Sequence, residues 1–228
     1  MEGQKALEEN KRSSGELRKR GTLWILAFIV VGVIAFLLDP FVIQIVAEHP
    51  NKTAKQIAGL LSKFGDWPEL MAMGAVAWFL VRHHRRAASA VLCMMIAATL
   101  AGAAVSSVRL LSGRARPNNT EVTPGWYGVW RDGNWLIGKY KYHSFPSGHT
   151  GSAVAFFAVL GFAFRGWNWA FLFLGLAIGW SRIYLNAHYL SDVMIGGVVG
   201  LFFAQVTWNR IRPWLEERWE RKRNGVTE

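Results

Sequence analysis

His188 and Asp192 stand four residues apart in Ser181-Arg182-Ile183-Tyr184-Leu185-Asn186-Ala187-His188-Tyr189-Leu190-Ser191-Asp192, a stretch with long apolar runs on either side. A cation, an imidazole and a carboxylate are costly there unless each does something for the others. If the second run is already helical at this point, His188 and Asp192 lie on one face, one turn apart. A carboxylate so placed can hold one ring N–H, fix the tautomer and leave the other nitrogen free as nucleophile or base. Arg182 adds a planar, permanent cation suited to phosphate or carboxylate oxygens. A snorkelling cluster at a helix end would carry the same residues.

Two further clusters point the same way. Pro146-Ser147-Gly148-His149 immediately precedes an apolar run. A helix starting there offers unpaired N–H groups and a positive dipole end; Gly148 lets an anion approach the backbone and Ser147 adds a hydroxyl. A plain capping sequence explains Ser147 and Gly148 but not His149, which can give or take a proton. Upstream, Arg109 and Arg116 are seven apart, about two helical turns, so a helix running through both and ending at Pro117 would point them to one side.

The elements that must position these residues are apolar and near bilayer length. The chain has 228 residues, 52% hydrophobic, 12 Trp and a net charge of +11. The basic residues flank the apolar runs, which reads as membrane topology and contact of the tails with anionic lipid, not as nucleic-acid binding. Cys93 is the one cysteine, so no disulfide framework or thiolate metal site is open to the chain. The polar first 21 residues and the lack of a small-residue cleavage site argue against a cleaved signal peptide.

The expected fold is all-α: a polytopic membrane protein of six transmembrane helices in a bundle, with an interfacial helix and a long outer loop. Residues 1–21 read as a basic cytoplasmic tail, 22–208 as the six-span domain, and 209–228 as a basic amphipathic cytoplasmic tail anchored by Trp214 and Trp219. The first span, from about Thr22 to Leu38, should break or kink at Asp39-Pro40 before a second apolar stretch, Phe41 to Ala47. Between His49 and Trp67, an amphipathic helix could lie at the interface or pack on the bundle. The remaining spans are placed at about Glu69–Val81, Ala87–Val108, Thr150–Phe164, Trp167–Trp180 and Val193–Val206, with Gly196 and Gly200 at close-packing spacing. His83 and His84 sit among Arg82, Arg85 and Arg86, so they read as a solvated positive-inside turn and not a metal site. The loop of residues 118–145 carries Trp126, Trp130 and Trp135, an interfacial belt or a binding cage, and Lys139, Lys141 and His143 as candidate head-group contacts. With both tails on one side, 16 Lys and Arg lie on that side and 10 on the other, which makes the tails cytoplasmic and the site outward-facing.

Arg109-(six residues)-Arg116-Pro117, Pro146-Ser147-Gly148-His149 and Ser181-Arg182-(five residues)-His188-(three residues)-Asp192 together resemble the three-part signature of the type 2 phosphatidic acid phosphatase superfamily, which includes vanadium haloperoxidases. The resemblance spans about residues 20 to 210. Lysine is usual in that family where Arg109 stands, so the charge is kept and the donor geometry changes. The resemblance implies that His188 attacks phosphorus and becomes a phosphohistidine, oriented by Asp192. It also implies that His149 protonates the leaving group and then activates water, while Arg109, Arg116, Arg182, Ser147 and Gly148 hold the phosphoryl oxygens. No cofactor or metal is expected, since no acidic cluster would hold one and the arginines supply the charge. The function so implied is a lipid phosphatase of the bacterial cytoplasmic membrane with its site on the outer face. Its substrate would be phosphatidate, phosphatidylglycerophosphate, undecaprenyl diphosphate or a lipid A phosphate. A lipid-to-lipid phosphotransferase, or a non-catalytic lipid-binding or transport protein, would share the features; six spans argue against a soluble haloperoxidase.

Overall fold

The structure is a computed structural model that describes residues 28–223; the tail at 1–21 and the start of the first expected span lie outside those residues. The order is α1 (Phe28–Glu48), α2 (Lys52–Lys63), α3 (Trp67–Val81), α4 (Arg85–Ser112), α5 (Gly148–Ala163), α6 (Asn168–Tyr184), α7 (Leu190–Val206) and α8 (Arg212–Arg223). The loop between α4 and α5 adds a two-stranded antiparallel ribbon, β1 (Trp130–Arg131) with β2 (Asn134–Trp135), and a short 3-10 turn at Tyr140–Tyr142.

α5 is the axis of the bundle. Its Gly, Ala, Ser, Val and Phe side chains are buried from Thr150 to Val159, and it packs against α4, α6 and α7. In hydrocarbon, helices gain little from burying more apolar surface, so close backbone approach and good packing hold them together. Two glycines of α7 permit that approach. A Cβ on Gly196 would stand 2.5 Å from the Ser147 carbonyl oxygen, and one on Gly200 2.5 Å from that of Gly151. The contact draws the first turn of α7 to the start of α5, where Ser147 N–H donates to the Asp192 carbonyl at 2.9 Å. Leu70, Met94, Phe156, Phe157 and Ile178 fill the spaces between the helices.

Large apolar side chains also cover the outside: Leu37 and Phe41 on α1, Val76, Phe79 and Leu80 on α3, Phe173 on α6 and Phe202 on α7 are all exposed. Such a belt fits lipid and not water. Helices Phe28–Glu48, Arg85–Ser112 and Leu190–Arg221 are long and apolar enough to cross a membrane; α3 and α5 are shorter apolar helices.

Two expectations change, and two regions left open by the sequence take a definite form. α1 runs unbroken through Asp39-Pro40, and Asp39 is buried against partners on other elements, so tertiary contacts outweigh the local helix-breaking signal. α4 stops at Ser112, where Gly113 takes a left-handed conformation (φ 59°), well before Pro117; Arg116 therefore lies on an extended segment and not on the helix with Arg109. α2 packs along α6 through buried Ala58 and Ser62, while Ile57, Leu60 and Phe64 face outward. The expected boundary after residue 208 falls inside a continuous helix, because α7 passes through a π segment, Thr207–Ile211, into α8. Glu216 of α8 accepts hydrogen bonds from Ser89 at 2.7 Å and Arg212 at 3.0 Å, which ties α8 to the start of α4.

Gly200→Ala tests the α5–α7 contact. Overpacking against backbone should cost about 1–3 kcal/mol and lower the thermal unfolding midpoint in detergent; an unchanged midpoint would mean that the helices do not meet there.

Candidate active site

α6 ends at Tyr184, and the chain turns through Asn186, which takes a left-handed conformation (φ 54°) that asparagine tolerates better than most residues. The backbone N–H groups of Ala187 and His188 then donate back to the Arg182 carbonyl at 3.0 and 3.2 Å. This turn buries His188 to 1% exposure. Its Nδ1 lies 2.7 Å from the Ser144 carbonyl oxygen. A carbonyl only accepts, so Nδ1 carries the proton and Nε2 the lone pair. Arg116 Nη1, 3.3 Å from Nε2, agrees with that assignment because a guanidinium only donates. Burial pushes the His188 imidazole down to about 4, against the opposing pull of Asp192, so the ring is neutral at neutral pH with a lone pair free for chemistry.

Asp192 is behind the ring. Its Oδ2 is 3.5 Å from Nδ1, and the Ser144 carbonyl is the nearer acceptor. The pair is not on one helical face as the spacing suggested, since α7 begins at Leu190. Oδ2 accepts from Ser144 Oγ at 2.5 Å and from Tyr189 N–H at 2.9 Å, and Oδ1 from Arg114 Nη1 at 2.5 Å. Ser144 thus touches both members of the pair.

The three expected arginines converge, each from a different element. Arg116 donates through Nε to the Tyr140 carbonyl and through Nη1 to that of Ala187, both at 3.0 Å, and its guanidinium lies 3.8 Å from the Tyr140 ring centre. Burial lowers it to about 10, which leaves it cationic. Arg109, in the last turn of α4, brings Nη1 within 3.1 Å of where a Cβ on Gly148 would stand, so a side chain there would crowd the guanidinium. Arg182, in the last turn of α6, is 8% exposed and donates to Ser62 Oγ. The Nε groups of Arg109 and Arg182 are buried without a partner among the described residues. Buried donors of this kind are costly, and an anion between them would satisfy both.

Ser147 caps α5: its Oγ accepts from Thr150 Oγ1 at 2.9 Å and from Thr150 N–H at 3.5 Å, and its own hydroxyl proton remains to be donated. Gly148 and His149 open the helix. His149 Nε2 is 2.6 Å from Asp66 Oδ1. A groove of about 480 Å³ runs from Thr99 past Gly102 and Ser106 to Arg109, Gly148 and His149. Of the guessed head-group contacts, Lys141 is paired with Glu121 and Lys139 is exposed, whereas His143 is buried, with Nε2 unpartnered among the described residues.

Sequence reading missed Asp39, Ser62, Asp66, Arg114, Tyr140, Ser144 and Ser191. Arg114 is the chief omission. It joins Asp192 to Asp39, whose Oδ2 is 2.7 Å from Nη2, while Asp39 also accepts from Ser191 N–H at 2.9 Å and Ser191 Oγ at 2.5 Å. The signal was present in Asp39 itself, a carboxylate inside an apolar run that requires a partner.

Arg114→Met leaves two buried carboxylates facing each other, and should destabilise the protein by about 3–5 kcal/mol. Adding Asp39→Asn to that variant should cost less than Asp39→Asn alone, measured by denaturation in detergent; strictly additive effects would show that the two residues are not coupled.

The sequence pattern of the PAP2 superfamily matches residues 87–215, which contain every motif residue described above. The lipid A 1-phosphatase of Rhizobium etli is 28% identical over 193 residues, covering 79% of this chain and 81% of that protein. The crystal structure of LpxE from Aquifex aeolicus superposes with a TM-score of 0.56 at 16% identity, covering 75% of this chain and 95% of that one. A PAP2-type phosphatidylglycerolphosphate phosphatase from Bacillus subtilis does so with a TM-score of 0.53 at 17% identity, covering 81% and 94%. The helical fold is shared with both structures, and the chain belongs to the PAP2 superfamily.

Proposed function

We propose that this protein is an integral membrane phosphatase that moves the phosphoryl group of a lipid phosphate or diphosphate first to His188 and then to water. One observation carries the reading: the neutral, buried His188 keeps its Nε2 lone pair among three convergent guanidiniums, beside the N-terminus of α5. That is a nucleophile inside an anion site.

The phosphoryl oxygens pair with Arg109, Arg116 and Arg182, with the Gly148 N–H and with the Ser147 hydroxyl. Binding draws Arg116 from Nε2 onto the substrate. The Nε2 electron pair forms the N–P bond while the bond from phosphorus to the leaving oxygen breaks, and that oxygen takes a proton from His149. The phosphohistidine ring is now positive, and the Ser144 carbonyl and the Asp192 carboxylate stabilise it from behind. Water next gives a proton to His149 as its oxygen bonds phosphorus, and the N–P electrons return to Nε2. Inorganic phosphate leaves, together with a lipid alcohol or, from a diphosphate, a lipid monophosphate. Charge that develops on the equatorial oxygens meets fixed guanidiniums and need not wait for solvent to reorganise.

The groove beside α4 gives a lipid chain a path to the site, since it follows that helix about 15 Å from Thr99 to Arg109. α1, α3, α4, α5, α6 and α7 serve as the six spans, with residues 22–208 as the enzymatic unit and both tails cytoplasmic. The basic cluster Arg82, Arg85 and Arg86, with Arg165, Arg210 and Arg212, lies at the end away from the site and supports an active site on the outer face of a bacterial cytoplasmic membrane. A lipid A-type 1-phosphate heads the candidate substrates because the Rhizobium etli relative is similar over most of both chains.

Purified protein in detergent should release phosphate from at least one of lipid A, phosphatidylglycerophosphate, phosphatidate and undecaprenyl diphosphate, with EDTA present. His188→Ala should lower that rate roughly a thousand-fold or more. Alkaline quench of a reaction with labelled lipid phosphate should leave label on the wild type and none on His188→Ala; full turnover by that variant would remove the phosphohistidine. Arg109→Lys should retain at least part of the activity and Arg109→Ala lose most of it, whereas wild-type rates for both would show that Arg109 does not hold phosphate.

A further inference from the structure

We infer that Asp66, which lies outside all three motifs, is the positioning residue for His149. It would hold the imidazole by Nε2–H and raise its affinity for the proton delivered to the leaving oxygen. This rests on the phosphatase reading above.

The contact is short: Asp66 Oδ1 is 2.6 Å from His149 Nε2. Asp66 also occupies the N-cap of α3, a place where aspartate normally accepts a hydrogen bond from its own helix, yet its side chain makes none there. The carboxylate has given up a local role and turned to the imidazole. The preceding residue is shaped for the same approach, because a Cβ on Gly65 would meet Ile178 Cγ2 at 2.5 Å and His149 Cβ at 3.2 Å. One turn earlier, Ser62 accepts from Arg182. The end of α2 and the start of α3 therefore touch a residue of each of two motifs, although neither helix contributes a motif residue.

Electrostatics gives the contact a purpose. To act as an acid His149 must exist as imidazolium, and three nearby guanidiniums oppose that charge: Arg109 from α4, Arg116 from the segment after it and Arg182 from α6. Asp66 is the carboxylate in contact with it among the described residues, with Glu69 farther along α3 acting on Asp66 itself. A carboxylate at that distance favours the protonated ring. With Nε2–H engaged, the mobile proton is the one on Nδ1. It passes to the leaving oxygen as the bond to phosphorus breaks, and it is replaced by a proton from water as the N–P bond is cleaved. Nε2–H remains on Asp66 throughout. The pair lies at the groove, where Asp66 is 44% and His149 23% exposed, so water for the second step can reach it.

The test is Asp66→Asn in the full chain. The kcat for phosphate release should fall about 10- to 100-fold, within the range that proton transfer contributes, with KM changed less than about threefold. The basic limb of the kcat profile should move down by about one pH unit or more, and Asp66→Glu should recover part of both. Independently of turnover, the His149 resonances of 15N-histidine-labelled protein, assigned with His149→Gln, should titrate about one unit lower in Asp66→Asn. An unmoved His149 titration overturns the inference. So does a lowered KM with unchanged kcat, which would mean that the carboxylate only competes with phosphate for the arginines. If Asp66→Asn does not fold, Asp66→Ser, which can cap α3 but has no charge, is read in the same way. Failure of the wild type to release phosphate from any lipid would instead sink the functional reading, and the titration would still decide the pairing of Asp66 with His149.

Discussion

Two carboxylates and one guanidinium, Asp39, Asp192 and Arg114, are buried together where the end of α4 meets α1 and α7. In a low-dielectric setting none of the three is tolerable alone, and removing one leaves a charge with nowhere to go. The pairing is reinforced from every side. The rings of Phe36, Trp126 and Tyr189 lie 5.2, 4.9 and 3.9 Å from the Arg114 guanidinium, and Ser144, Ser191 and the Tyr189 N–H satisfy the remaining carboxylate oxygens. Five segments of the chain are therefore fixed by one requirement, that these charges be neutralised and hydrogen-bonded. Because Ser144 donates to Asp192 and accepts from His188, the position of the loop between α4 and α5 becomes the position of His188, the proposed nucleophile.

The same logic, left incomplete, makes the proposed anion site. Arg109 and Arg182 end α4 and α6, where a cation is favoured by the helix dipole, but each keeps a buried Nε without a partner. Arg114 is satisfied and structural; Arg109 and Arg182 are held in place and unsatisfied. The cost of that arrangement is met by the packing around it, and under the proposed function an incoming phosphoryl group would find donors already oriented. Arg116 stands between the two cases, since its main-chain partners hold it still while its contact with His188 Nε2 is one that a phosphate can replace.

What the sequence disclosed follows from this division. The residues proposed to meet an anion have side chains whose chemistry is visible in one dimension, and His188, His149, Arg109, Arg116 and Arg182 do converge. The residues that position them were harder to see, because their meaning lies in partners far away in the chain. Asp39-Pro40 reads locally as a helix break, and only the contact with Arg114, 75 residues on, shows why the helix continues there. Gly113 was the overlooked local signal: its left-handed backbone ends α4 and moves Arg116 off the helix. Lys139 and Lys141 stand out in the sequence by charge alone, and the pairing of Lys141 with Glu121, 20 residues away, appears only in the fold. Hydropathy located the apolar runs but not the helix bounds, since α4 and α6 extend past their apolar stretches to carry Arg109 and Arg182.

The two histidines show why position in the fold, and not residue type, assigns the chemistry. His188 is sealed to 1% exposure, its Nδ1–H is taken by a neutral carbonyl, and the nearby carboxylate is already occupied by Arg114, so the ring stays neutral and its lone pair is directed at the anion site. His149 lies 2.6 Å from a carboxylate that has no other hydrogen-bonded side-chain partner among the described residues, at the edge of the groove. A neutral imidazole is the better nucleophile and a carboxylate-supported one the better acid, so the proposed division of roles rests on the partner each ring holds, a neutral carbonyl for His188 and Asp66 for His149. Exchanging the surroundings would exchange the roles: a charged partner newly freed at Asp192 would favour protonation of the very lone pair that must attack. The saturation of Asp192 by Arg114, Ser144 and the Tyr189 N–H is therefore as much a condition for the proposed catalysis as it is for folding.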